Sequence, residues 1–519
     1  MAMIRNKRHL LYLSNFRRKT IQKFIVILLA LPLQGVSMAA APAKAPKITQ
    51  VYATAETSTS ASVIWNTSTT ADSLLQYSTS NPVPANATQV YTGTPVTLHN
   101  IPLAGLTPGT IYFYRVTSCT KRGCVSATGS FETFPNCSDV VPPVSGIWQT
   151  VISPNVSGAT PIGNQLLGVD AVSANDLWAV GWSQDPNGPA YVKRTLIQHF
   201  NGQTWDIVAS PNPRNDTDSV LHAISAVSAN DVWAVGGSHN GRLPSRTLIK
   251  HWDGVMWTII PSPSPDSQFN ELRGVAALSA NNVWAVGYRG GTNSGTPIET
   301  LILHWDGSSW TQVPSPNLSG GASQLFGITA ISANDIWAVG SVGGAPLAMH
   351  WNGSVWNITS LGVGSGLSTE KLTAVSGVAA NDVWAVGDGK GIFSNQTFAT
   401  MRHWDGVRWS EKSCRAASAS NPPANYEGGG PDAYFTGVAA AASNDVWAVG
   451  VHGSGPMILH WDGRAWTAVA HSRAFPNAAT LRGVTTSTGG SAWSVGLEIE
   501  VSSSGSTSPP RTRIDKYTP

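Results

Sequence analysis

From Trp148 onward the chain repeats itself, and a repeat of this period restricts the fold more than any single motif does. A Trp-Ala-Val-Gly-type segment recurs at Trp178, Trp233, Trp284, Trp337, Trp384, Trp447 and Trp493, at intervals of 46 to 63 residues. A His-Trp-Asp-Gly segment, or a close variant, begins at His199, His251, His304, His350, His403 and His460. Three residues after its Gly stands another Trp, at 205, 257, 310, 356, 409 and 466.

One unit reads as four strands: Leu272–Leu278, Val283–Gly287, Thr300–Trp305 and Ser309–Val313. Asp306-Gly307 supplies the turn between the last two, in the chemistry that tight hairpins favour. The second and third strands are almost continuously apolar, so both faces of each sheet are buried. The copies do not match in number. The Trp-Ala-Val-Gly strand occurs seven times, the His segment six. The missing fourth strand lies at the front, where Trp148-Gln-Thr-Val-Ile-Ser-Pro154 matches Trp310-Thr-Gln-Val-Pro-Ser-Pro316. The last unit breaks off after a degraded third strand ending in Arg513-Ile-Asp-Lys-Tyr-Thr-Pro519. Strand Trp148–Pro154 therefore joins the last blade, and residues 147–519 close into a seven-bladed β-propeller of four-stranded blades.

The repeat resembles the kelch-like and galactose-oxidase-type propellers of secreted bacterial proteins. The resemblance rests on the Val-Trp-Ala-Val-Gly strand, the Leu-Ile-x-His-Trp-Asp-Gly strand and turn, and the Trp-Thr-x-x-Pro-Ser-Pro strand. The kelch double glycine occurs once, at Gly236-Gly237. Galactose-oxidase chemistry would need a Tyr and His copper site with a Tyr–Cys cross-link. Tyr191, Tyr288, Tyr426, Tyr434, Tyr517 and the lone Cys414 form no such set, so no cofactor is expected.

Residues 45–135 alternate as strands do, in Ser62-Val-Ile-Trp65, Ser73-Leu-Leu-Gln-Tyr77 and Ile111-Tyr-Phe-Tyr-Arg-Val116. With Trp65 and Leu106-Thr-Pro-Gly-Thr-Ile-Tyr112, this stretch resembles a fibronectin type III domain, an antiparallel β-sandwich. The resemblance implies a tyrosine corner at Tyr112 and a spacer or binding role. Residues 136–146, with Pro142-Pro143, read as a stiff linker. The chain is thus expected to be all-β throughout.

Residues 1–43 read as a secretory signal: seven bases and no acid, then the apolar run Phe24–Leu33, then small residues. Ten apolar residues are short for a bilayer span. Cleavage is expected near Ala39–Ala43, leaving no membrane span and a secreted or cell-surface protein; retention as an uncleaved membrane anchor is the alternative. The whole chain has net charge +3, and without its first 40 residues 25 bases face 29 acids. This mild acidity argues against a nucleic-acid partner. In an exported chain an even count of cysteines points to disulfides. Cys119 and Cys124 flank a turn and are placed to bridge a hairpin; Cys137 and Cys414 remain by elimination. No ligand spacing marks a metal site.

Strand direction puts the short, uniform first-to-second and third-to-fourth turns on one face. The variable loops gather on the other, where binding chemistry differs between blades. Ligand-binding candidates there are Trp182, Tyr288, Arg289, Tyr426 and Tyr434, whose rings and guanidinium suit sugar stacking. The repeated His are expected to pack within their own blades, since seven-fold related positions are too far apart for one ion. The leading expectation is a monomeric surface protein that binds a glycan or protein partner without catalysis. One alternative is a secreted polysaccharide hydrolase or lyase using loop acids such as Asp185, Glu271, Glu299, Glu370, Glu427 and Asp432. The other is a purely structural surface protein.

Overall fold

The fold is taken from a computed structural model. It describes residues 45–518 except 56–58, 134–145, 158–161, 187–191, 214–217, 241–244, 292–295, 319–320, 360, 362–366, 392–395, 413–431, 454, 465, 470–477, 488–489 and 501–506. Residues 1–44, which include the segment read as a signal, and Cys137, Cys414, Tyr426 and Glu427 lie outside the described residues.

Five antiparallel strands build the first part: β1 (Ile48–Ala55), β2 (Ala61–Ser78), β3 (Thr88–Leu103), β4 (Ile111–Thr120) and β5 (Gly123–Glu132). The long β2 pairs β1 through its first half and β4 through its second, while β3 follows it along both. One continuous strand thereby serves both layers of a sandwich. Trp65 is fully buried between them, donates to Ser118 Oγ at 2.9 Å and stacks on His99 at 4.7 Å. Tyr112 accepts the Thr107 backbone N–H at 2.9 Å, which is the tyrosine corner that Leu106-Thr-Pro-Gly implied. Cys119 and Cys124 are bonded across the β4–β5 hairpin.

Among the described residues the remaining strands form seven four-stranded sheets. Blade 1 holds β7 (Asn164–Ser173), β8 (Asp176–Gln184), β9 (Lys193–Phe200) and β10 (Trp205–Ile207), in that spatial order. Blade 7 is completed by β6 (Ile147–Val151), which pairs with the C-terminal strand Arg511–Thr518 in a register placing Trp148 opposite Tyr517. The first strand of each blade packs against the first strand of the next, and Ala478–Ser487 of blade 7 packs against β7. The ring is closed.

Aromatic rings hold adjacent blades together. Trp178 of blade 1 meets Trp252 and Trp257 of blade 2 at 5.0 and 5.5 Å. The same contact recurs around the ring, and substitutions carry it across the seam. Trp447 of blade 6 meets Trp148 and Tyr517 of blade 7, while Trp493 of blade 7 meets Phe200 and Trp205 of blade 1. These rings fill the wedge that widens outward between sheets, at close-packed interior density.

The repeated His does local work. His199 stacks on Trp178 at 4.1 Å, and its Nε2 lies 2.8 Å from Asp176 Oδ1. Four more blades repeat this with His251, His350, His403 and His460 against Asp231, Asp335, Asp382 and Asp445. Blade 3 uses Asn282 instead. In blade 7 Lys516 lies over Trp493 at 4.8 Å where the imidazole would be. The Asp of Asn-Asp-Val-Trp is therefore more than a turn residue: it anchors the imidazole that covers the core Trp.

Glycine in Trp-Ala-Val-Gly has an equally concrete reason. Each first strand carries a β-bulge opposite this Gly, between Leu221 and Ala223 in blade 2. A Cβ on Gly236 would overlap the Val220 carbonyl, and one on Gly287 would overlap that of Glu271. The bulge presses backbone against backbone, and only a residue without a side chain fits.

Candidate functional site

The bulges turn one residue per blade out of the ladder, and bulges commonly re-aim side chains beside active sites. The skipped residues are Leu167 in blade 1, His222 in blade 2 and Arg273 in blade 3. All three line one open cleft of about 290 Å³. The cleft is floored by the starts of the first strands and rimmed by Trp182, Lys193 and Phe269 from the variable-loop side. Asp218 and Glu271 bring two carboxylates to the same cleft.

At its centre His222 Nε2 lies 2.6 Å from Glu271 Oε1, and Arg273 Nη2 lies 3.1 Å from the same oxygen. Arg273 also reaches the Tyr288 hydroxyl at 3.2 Å, and its Nη1 is 3.5 Å from His222 Nδ1. Burial pushes the His222 imidazole below its ordinary range, against the opposing pull of Glu271. Burial alone would raise Glu271, but the hydrogen bond from His222 and the charge of Arg273 outweigh it and hold the carboxyl low. The pair is thus a neutral imidazole donating to a carboxylate. That bond fixes the tautomer: Nε2 carries the hydrogen and Nδ1 the lone pair.

The outer part of the cleft is held just as firmly. Asp218 accepts the Lys193 backbone N–H at 2.7 Å and lies 3.4 Å from His239 Nε2. Lys193 Nζ sits over one face of the Trp182 ring, 4.5 Å from its centroid, pairing a cation with the aromatic plane.

Of the residues proposed from sequence, Trp182 and Glu271 reach this cleft. Tyr288 lies behind it, buried and stacked on Phe269 at 5.4 Å. Arg289 is tied to Glu299 at 2.6 Å, and Asp185 to Arg194 at 2.8 Å. Tyr434 is in the first strand of blade 6, Ala433–Ala442, and Asp432 just before it is exposed with φ 65°. Glu370 is no loop acid: it is buried in the strand Leu367–Ala379 and paired with Arg402 through both oxygens.

Sequence reasoning missed His222, Arg273, Lys193, Asp218 and His239. The available signal was departure from the repeat. His222 and His239 are the propeller histidines outside the His-Trp-Asp-Gly set that face this cleft. Among the described residues no cluster of three or more His, Cys, Asp or Glu is placed to hold a metal. No described helix is long and apolar enough to cross a membrane.

Residues 46–133 match the sequence family of the purple acid phosphatase N-terminal domain. Over 264 residues the chain is 29% identical to endoglucanase B of Cellulomonas fimi, a match spanning 50% of this chain and 22% of that protein. Among solved structures it is similar to the polysaccharide lyase Uly1, with 10% identity, a TM-score of 0.39, and coverage of 70% of this chain and 91% of the other. It is also similar to the PQQ-bound aldose sugar dehydrogenase of Streptomyces coelicolor, with 14% identity, a TM-score of 0.29, and coverage of 55% and 90%.

Proposed function

We propose that this is an extracellular, polysaccharide-active protein that cleaves a uronate-containing chain by β-elimination in the cleft between blades 1, 2 and 3. The observation that carries the reading is the His222–Glu271–Arg273 cluster: a neutral base, oriented by a carboxylate, beside a guanidinium. Proton abstraction next to a carboxylate needs both parts. Arg273 and Lys193 are the cations that face the sugar carboxylate and draw off charge as its neighbouring carbon loses a proton. His222 Nδ1 takes that proton once the sugar carboxylate draws Arg273 Nη1, 3.5 Å away, from its lone pair. The carbon–oxygen bond to the next sugar breaks, its electron pair leaves with the oxygen, and a carbon–carbon double bond forms. The departing oxygen takes a proton from solvent. Trp182 supplies the plane on which an adjacent sugar stacks.

Hydrolysis by two carboxylates fits the site less well. A general acid must hold its proton near neutral pH, whereas Glu271 is held low. The signal-like segment and the Cys119–Cys124 bond support an exported location. The sandwich at 45–135 is read as a separate module that presents the propeller at 147–519.

The test is incubation with polyuronates while following the ultraviolet absorbance of unsaturated ends. New unsaturated ends that disappear in His222→Ala establish the reaction. Reducing ends without unsaturation would replace elimination by hydrolysis. The Trp182–Lys193 platform also supports binding alone, and binding with no new ends of either kind would establish that second reading.

A further inference from the structure

The bulge that delivers His222 and Arg273 to the cleft exists in the first strand of every blade, so the described residues include seven at this one matching position around the ring of first strands. Their chemistry is unevenly spread. In blades 5 and 6 the position is Thr373 and Thr436, and each hydroxyl shares its single hydrogen between a carbonyl of its own blade and one of the next. At those two positions the hydroxyl is taken up by the backbone. In blade 4 it is Phe326, which meets Tyr288 edge-on at 6.3 Å. In blade 7 it is Arg482.

Arg482 is the next position around the ring beyond Leu167. The glycine after it, Gly483, faces the Leu167 carbonyl and the Gly168 Cα at 3.2 and 3.3 Å from its Cβ position. Arg273 is tied to Glu271 through Nη2, and no such acid partner is seen for Arg482, whose Nε, like that of Arg273, is buried without a partner among the described residues. An arginine held at a bulge with a desolvated, unsatisfied donor is costly unless a ligand completes it. From blade 7 to blade 4 the matching positions therefore read Arg482, Leu167, His222, Arg273, Phe326: two guanidinium groups flank an apolar step and the imidazole.

We propose that Arg482 is a second anion subsite. It would hold the carboxylate or sulfate of a sugar next to the one at His222, so that an acidic polysaccharide lies across these positions from blade 7 towards blade 4. This rests on the elimination reading and names its substrate as a chain with an anionic group on successive or alternate sugars. The guanidinium fork suits either oxyanion, because both accept two parallel N–H bonds.

The experiment measures binding of the full chain to three probes: an oligogalacturonate, a sulfated dextran and unmodified dextran. Wild type, R482Q, R482K and H222A are compared, with thermal unfolding as the check that each variant is folded. The proposal expects R482Q to weaken acidic-chain binding about tenfold or more, R482K to recover part of it, and H222A to bind while producing no unsaturated ends. A stronger effect on oligogalacturonate identifies carboxylate as the ligand group, and a stronger effect on sulfated dextran identifies sulfate. In turnover, R482Q raises KM and leaves kcat nearly unchanged. If oligogalacturonate binds and is cleaved equally well by wild type and R482Q, the subsite is wrong and the elimination reading survives. If wild type binds no acidic chain, both fall together.

Discussion

His222 on blade 2 and Glu271 on blade 3 meet at 2.6 Å across a blade interface, so the hydrogen-bonded pair at the centre of the cleft is also a contact between neighbouring sheets. Glu271→Ala removes the acceptor and the interblade bond together. The expected loss is about 1–3 kcal/mol of stability, by chemical denaturation, along with the catalytic signal. Glu271→Gln retains shape and one acceptor, and is expected to recover much of the stability but not the activity. Equal stability of Glu271→Ala and wild type would show that the bond carries little weight.

The same pair sets a pH response. The folded-state pKa of His222 lies below its unfolded value, so the unfolded chain binds protons first as pH falls through the ordinary histidine range. The folded-state pKa of Glu271 is also depressed, and its contribution is lost at still lower pH. Both favour unfolding in acid. Thermal midpoints should fall on going from pH 7 to pH 5, and His222→Gln should flatten the upper part of that fall. An unchanged slope in His222→Gln would assign the acid sensitivity to other groups.

Lys250 is fully buried on the third strand of blade 2, donating to Thr195, Ser210 and the Pro211 carbonyl. Burial pulls its pKa down to about 7. Between that value and the unfolded value near 10.5, the unfolded state holds a proton that the folded state lacks, so stability rises with pH. Lys250→Met should stabilise the protein by about 1–4 kcal/mol at or below pH 7, with the advantage shrinking towards pH 10. A difference that stays constant across that range would contradict a lowered Lys250 pKa.

Gly287→Ala places a methyl group against the Glu271 carbonyl, where there is no room for it. The expected cost is about 2–3 kcal/mol, read as a lowered denaturation midpoint. Because the clash falls at the bulge, activity should drop further than stability does. Gly453→Ala is the control: it lies in open space at a turn, with φ 58°, and should cost less and leave activity intact.

Trp148→Ala tests the seam. Trp148 is fully buried and meets Trp447 edge-on at 5.3 Å. Its loss should cost about 3–5 kcal/mol, matching Trp310→Ala within the ring, if the borrowed strand is a full member of blade 7. A much smaller loss would mean that the seam is weaker than the other interfaces.

The propeller was legible because its rule is repeated. Trp-Ala-Val-Gly, His-Trp-Asp-Gly and the copy at Trp148 follow from packing constraints that every blade shares, so number, order and closure could be read by comparing the chain with itself. The cleft was legible only in part, for the opposite reason. Trp182 and Glu271 stood out as an aromatic and an acid on the variable side. His222 and Arg273 sit at a position that is Leu167, Phe326, Thr373 or Thr436 elsewhere, and the bulge that re-aims it leaves no mark beyond the glycine opposite. Glu370 shows the converse error. Its carboxylate looked available in sequence, yet Arg402, 32 residues on, neutralises it inside the sheet. Pairing between strands is set by register, and single residues do not announce their register.

Closure of the ring by β6 orders events in time. Ile147–Val151 leaves the ribosome before any blade, yet its partner Arg511–Thr518 comes last. Until that segment arrives, blade 7 is a sheet with an unpaired edge and β6 is a strand without a neighbour, both open to mispairing with another chain. Such long-range pairing is slow to form. The apolar blades accumulate while the lock remains open, so the new chain passes through an unsealed interval before the two halves of the seam meet.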